Sequence, residues 1–178
     1  MSFSSKPRPR YDPENPPKKR KPKNIKQYMG WLLSRRDYSE AELRKKLLDK
    51  EFTETEVDEA VKFAQQHGFQ SDARYAEGKA RSTAGRQGNY RVKRALLDKG
   101  VSEQLADEQM EKLAPEEDRA KQAARKFEGK EHTPELRQKI YRFLAQRGFS
   151  SKAIKVAMEH LREQAGACVG EESEWVDD

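Results

Sequence analysis

Sulfur chemistry is almost absent from this chain of 178 residues, which has a single cysteine, Cys168. One thiol excludes an intramolecular disulfide, and Cys168 sits far from any His or Asp cluster that would activate it. Histidine is nearly as scarce. His67, His132 and His160 have no mutual spacing that suggests metal ligation, and we read them as structural or exposed. No apolar run approaches the ~20 residues a membrane helix needs. The basic N-terminus has no apolar segment behind it, which argues against a signal peptide. The expectation is a soluble cytoplasmic protein with no membrane contact. Strand signals are missing too, because no segment alternates apolar and polar residues between turns. So are catalytic motifs: there is no glycine-rich loop ending in Lys-Ser/Thr, no paired-cysteine site and no Ser/His/Asp grouping. We expect no metal, no cofactor and no enzyme activity.

What the chain does have is charge. It is 34% hydrophobic and 38% charged, which argues against one deep core and for thin helical units that each bury one stripe. The formal net charge of +6 hides an asymmetry. Residues 1–24 are rich in Pro, Lys, Arg and Ser, and read as a disordered basic extension. Residues 165–178 carry Glu171, Glu172, Glu174, Asp177 and Asp178 and no base, and read as an acidic tail.

Between the tails one pattern occurs three times, about 48 residues apart. A helix-spaced stretch ends on a basic residue, then Glu or Gly, a large apolar residue and a hydroxyl. The copies end Lys50-Glu51-Phe52-Thr53, Lys99-Gly100-Val101-Ser102 and Arg147-Gly148-Phe149-Ser150. Apolar residues then recur in register: Val57, Val61, Ala64; Ala106, Met110, Leu113; Ile154, Met158, Leu161. Start and stop signals divide the array into units over 25–70, 71–114 and 115–164, each of three short helices. Ser39-Glu-Ala-Glu42 and Thr53-Glu-Thr-Glu56 read as capping boxes, and Gly68 as a helix C-terminal residue. Ser71, Thr133 and Ser150 read as N-caps. Pro115 and Pro134 read as first-turn prolines, and the last helix is expected to end near Gln164. Trp31, Tyr75 and Tyr90 are expected to pack between helices rather than stack on a base.

Basic residues cluster in each unit. Arg81, Arg86, Arg91, Lys93 and Arg94 surround the Gly85–Gly88 loop, where glycines would let backbone approach a partner and guanidiniums would meet carboxylates or phosphates. Arg35, Arg36, Arg44 and Lys45 form a group in the first unit, Arg74 and Tyr75 open the second, and Arg142 and Arg147 lie in the third. These are the candidate partner- or nucleic-acid-binding residues. The bland alternative for each is a solvated helix face.

Four motifs in register resemble the RecX family, regulators of the RecA recombinase. They are Leu33-Ser-Arg35-Arg36 with Ser39-Glu-Ala-Glu42-Leu43-Arg44; Gly68-Phe-Gln-Ser71-Asp72-Ala-Arg74-Tyr75-Ala76; Arg81 with Gly85-Arg-Gln-Gly88 and Lys99-Gly100-Val101; and Arg142-Phe143-Leu144-Ala-Gln-Arg147-Gly148-Phe149-Ser150. Two positions depart from the family pattern: Ala95 stands where an acidic residue is usual before Leu96, and Glu51 where glycine is expected. The resemblance implies an all-α fold of three tandem three-helix, helix-turn-helix-like repeats in an elongated, curved array. It implies a monomer that binds the RecA–single-stranded DNA filament and lowers its recombinase, ATPase and co-protease activities.

Two other readings start from the same residues. One is a helical module that binds single- or double-stranded nucleic acid without RecA. The other is a helical scaffold for a different protein. The acidic tail is expected to fold back on the basic repeats and compete with nucleic acid. Deleting residues 165–178 should then tighten DNA binding at low salt; unchanged binding removes the idea.

Overall fold

The computed structural model describes Pro22, residues 24–131 and 133–169, with side chains as far as Ala165. The readings on the basic extension through Lys21, on Lys23, His132, the Cys168 side chain and residues 170–178 lie outside the described residues. Nine α-helices and no strand occur among those described. The first unit is α1 (Ile25–Leu33), α2 (Glu40–Leu48) and α3 (Glu54–Gln66). The second is α4 (Asp72–Ala84), α5 (Asn89–Leu97) and α6 (Glu103–Glu111). The third is α7 (Glu116–Ala124) with a short 3-10 turn (Arg125–Phe127), then α8 (Pro134–Gln146) and α9 (Ser151–Val169).

Side-chain caps start most of these helices. Asn24, Ser39, Thr53, Ser71, Ser102 and Thr133 each accept a backbone N–H of the first turn. Ser150 does the same for Ala153. Thr53 and Glu56 form the full reciprocal box. At Ser39 only half of the expected box is present, because the Glu42 carboxylate turns away to Arg36 and Lys99. Pro115 is the cap of α7 rather than its first helical residue. The last helix continues past Gln164 to Val169.

Each unit has its own core. The first is built on Met29, Leu32, Leu43, Leu47, Val57 and Val61. The second is built on Tyr75, Val92, Leu96, Val101 and Ala106, and the third on Phe127, Ile140, Leu144, Phe149 and Ile154. Substantial helix–helix packing stays within a unit. Trp31 and Tyr90 contradict the expectation of core packing, being 52% and 71% exposed. Each is two residues from a buried one, Met29 or Val92, which on a helix of 3.6 residues per turn is the far side. Nine-residue helices bury too narrow a stripe to include them.

The units join through one repeated arrangement. The turn after each middle helix holds a residue in the left-handed region: Glu51 (φ 62°), Gly100 (φ 76°) and Gly148 (φ 77°). The next amide of the second and third copies reaches back, Val101 N–H to Leu96 O at 3.2 Å and Phe149 N–H to Leu144 O at 3.2 Å. That turn then docks on the start of the preceding unit's middle helix. Ser39 Oγ, the cap of α2, donates to Lys99 O at 2.5 Å. Gly88 N–H, at the cap of α5, donates to Arg147 O at 2.9 Å. One residue on, Glu40 N–H donates to Asp72 Oδ1 and Asn89 N–H to Glu116 Oε1, both at 2.7 Å. A β-carbon on Gly100 would strike Ala41, one on Gly148 would strike Arg91, and one on Gly88 would strike the backbone of Gly148 and Phe149. Gly88 therefore serves the contact with the third unit. The buried Arg119 adds a clasp there, donating to Ala84 O, Gln87 O, Ala114 O and Asn89 Oδ1.

Glu51 has the same positive φ with a side chain, and among the described residues its turn docks on no preceding unit. We expect Gly88→Ala and Gly148→Ala each to destabilise the third unit by about 1–3 kcal/mol through overpacking against backbone. Glu51→Gly should stabilise the first unit by about 1 kcal/mol through relief of left-handed strain. Urea unfolding checks both; a Gly88→Ala variant with the parent's midpoint contradicts the joint.

Candidate functional site

Charge pairing sorts the predicted residues. Arg36 pairs with Glu42, Arg44 with Glu40 and Asp58, and Arg74 with Asp37. Arg81 pairs with Glu77, Lys93 with Glu103 and Asp107, and Arg94 with Asp98. Arg74 also donates to Gly68 O and Phe69 O, so it holds the link between the first two units. Tyr75 is 6% exposed and takes the packing role weighed above stacking. Burial, then the neighbouring Glu42 charge, pushes its phenol up to about 12. Arg35 lies over Trp31 at 5.0 Å and Arg147 over Phe143 at 3.7 Å. Arg142 donates to Gln138. Lys45, Arg86 and Arg91 have no ionic partner among the described residues.

The seam between the first two units gathers residues from both. A groove of about 410 Å³ is lined by Arg36, Asp37, Arg74, Tyr75, Lys79 and Lys99. A second cleft of about 520 Å³ lies across Lys99, lined by Lys45, Lys46, Asp49, Asp98 and Gly100 among others. Lys99 stands between them and bonds Glu42 Oε1 at 2.8 Å. Lys46, Lys79 and Lys99 were missed as site candidates. Lys99 ends the repeated turn, but its place on the seam appears only once that turn is docked. The predicted clusters are thus partly separated: Lys45 joins the seam, whereas Arg86 and Arg91 lie toward the joint with the third unit.

This seam can bind but offers little for catalysis. Its Asp37, Glu42 and Asp98 carboxylates are occupied by cations. Among the described residues no group of three or more His, Cys, Asp or Glu side chains could hold a metal ion. No helix of the described residues is long and apolar enough to cross a membrane.

Family models match all three units: the RecX first three-helix domain over residues 26–63, the second over 71–110 and the third over 115–158. The chain is 39% identical over 129 residues to the regulatory protein RecX of Actinobacillus pleuropneumoniae serotype 5b, covering 68% of this chain and 82% of that protein. It is 36% identical over 135 residues to the regulatory protein RecX of Chromohalobacter salexigens, covering 74% of this chain and 89% of that protein. The fold also superposes on the crystal structure of RecX from Lactobacillus salivarius with a TM-score of 0.68 at 18% identity, over 78% of this chain and 95% of the other.

Glu42 makes the seam sensitive to acid. Burial alone would raise its pKa, but hydrogen bonds from Lys99 and Arg36 outweigh that and hold it below the ordinary 4.5. A lowered pKa in the folded state means the pairing stabilises the seam above the unfolded value and is lost as pH falls through the folded one. We expect the seam to loosen as pH falls below the ordinary carboxylate range. Glu42→Gln should remove that part of the acid dependence of the urea midpoint; an acid limb identical in the variant contradicts it.

Proposed function

We propose, because this chain belongs to the RecX family, that it regulates the RecA–single-stranded DNA filament without catalysing a reaction itself. The observation that carries this reading is the array. Three family units, each with its own core, are joined end to end by one repeated contact. Such an array presents a surface much longer than any one unit. Lying across several filament subunits, it adds many modest contacts, with basic side chains supplying orientation more than affinity. The effect on the filament is inhibition of recombinase, ATPase and co-protease activity, exerted by occupancy. In this reading the protein works as a monomer in the cytoplasm, with RecA and single-stranded DNA as its partners.

Internal pairing narrows which cations serve this role. Side chains already held by a carboxylate have less to offer a partner, because a new contact must replace an old one. That favours Lys45 and Arg86 over Arg44, Arg74 and Lys93. A second reading, a nucleic-acid module acting without RecA, is supported by the cations of the third unit that lack carboxylate partners.

The test is ATP hydrolysis by preassembled RecA–DNA filaments titrated with this protein, beside a Lys45→Ala/Arg86→Ala variant. Inhibition well below one copy per RecA, weakened about tenfold in the variant, supports regulation of the filament; tenfold corresponds to 1.4 kcal/mol, about one charge-assisted contact. Inhibition only when the protein is abundant enough to coat the DNA, with a steep salt dependence, supports the second reading.

A further inference from the structure

One corner of the third unit gathers cations around two aromatic rings. Lys126 lies in the 3-10 turn and Lys130 three residues after it, Lys139 lies on α8, and Arg147 is the C-cap of α8. Phe127 and Phe143 meet edge to face there, with centroids 5.4 Å apart. The Lys126 ammonium stands 3.5 Å from the Phe143 centroid, and the Arg147 guanidinium 3.7 Å from the same centroid. Lys126 is also 4.9 Å, and Lys130 5.6 Å, from the Phe127 centroid. Lys139, Phe143 and Arg147 recur every four residues, so they follow one face of α8 to its C-cap.

None of these four cations has a carboxylate partner among the described residues, and nearby Glu128 is engaged by Arg125 at 3.6 Å. By comparison, Arg36, Arg44, Arg74, Arg81, Lys93, Arg94 and Lys99 of the first two units are each paired with a carboxylate. Lys126 registers the imbalance: burial, then Arg147, Lys139 and Lys130, lower its pKa. Like charges held together by aromatic rings are costly unless an anion relieves them.

We infer that Lys126, Lys130, Lys139 and Arg147 form a contact site for the phosphodiester backbone of a nucleic-acid strand. The site rests on the reading above that nucleic acid is among this protein's partners, and it adds where the strand is held. A strand carries a regular row of phosphates, which a row of cations meets whatever the bases. An acidic peptide is the weaker fit. Peptide recognition relies on apolar anchors, and here Phe127 is buried while Lys126 and Arg147 cover Phe143. The same covering leaves the rings poorly placed to stack on bases, so the site reads charge and not sequence.

The experiment is fluorescence anisotropy of a labelled oligothymidylate with the full chain and no RecA, over a range of salt. Variants are Lys126→Gln/Lys130→Gln/Lys139→Gln and, to spare the ring contact of Lys126, Lys130→Gln/Lys139→Gln. Lys62→Gln/Lys112→Gln, two exposed lysines away from these residues, is the control. The expected triple variant binds at least about tenfold more weakly at low salt, and its log–log salt slope falls by about 2, near 0.7 per lost phosphate contact. The double variant loses about 1.4 from the slope, the control changes less, and polyglutamate displaces the strand poorly. If circular dichroism shows the triple variant misfolded, the double variant decides. Unchanged affinity and slope in a folded variant overturns the site, as does absence of binding by the parent or equal displacement by polyglutamate. Because RecA is absent, such a failure leaves the filament reading to its own ATPase test.

Discussion

The turn that closes each middle helix is the constraint on which the rest of this molecule depends. A helix ends, one residue takes a positive φ, and the next side chain drops into the core of its own unit: Phe52, Val101 or Phe149. In the second and third units the same turn faces outward onto the unit before it. The carbonyls of Lys99 and Arg147 receive a donor from the cap positions Ser39 and Gly88. The following amides, of Glu40 and Asn89, go to carboxylates at the start of the next unit, Asp72 and Glu116. These are the orphan N–H groups that any helix start must satisfy. Spending them across the joint couples the second helix of one unit to the first helix and turn of the next. Three small cores thereby become one array.

Charge is organised by the same geometry. At the first joint Lys99, Glu42 and Arg36 form a chain around buried Tyr75, so charge there stabilises the seam as much as it faces outward. Most other arginines of the first two units are paired along their own helices or to a neighbouring one, and exposed pairs of this kind contribute little stability. Their main consequence is that these particular side chains are already engaged when a partner arrives. In the third unit Lys126 and Arg147 share one aromatic ring, that of Phe143.

The fold was legible because each level of signal agreed. The 48-residue period, the apolar register after each turn, and the caps at Ser39, Thr53, Ser71, Thr133 and Ser150 all pointed to the same helices. Two residues at Glu51 and Gly88 show where reading stops. Glycine at 88 looked like an invitation to a ligand, because only the folded array brings the backbone of Gly148 against it. Glutamate at 51 looked like a departure, because nothing local reveals that its turn docks on no preceding unit among the described residues. Basic clusters were legible as clusters but not as sites. Arg74 and Arg86 look alike in sequence, yet Arg74 is held by Asp37 across 37 positions while Arg86 is not so held. Trp31 was misjudged for a related reason: aromatic character predicts burial, but a nine-residue helix has a narrow buried face.

The account predicts a single body whose length lets it act on more than one subunit of a filament. Electron cryomicroscopy of RecA–single-stranded DNA filaments with this protein bound tests that most directly. The predicted result is continuous density for three units laid across more than one RecA subunit, with the second and third units still docked through Gly88 and Gly148. Density confined to one RecA subunit, or found only on DNA free of RecA, would contradict it.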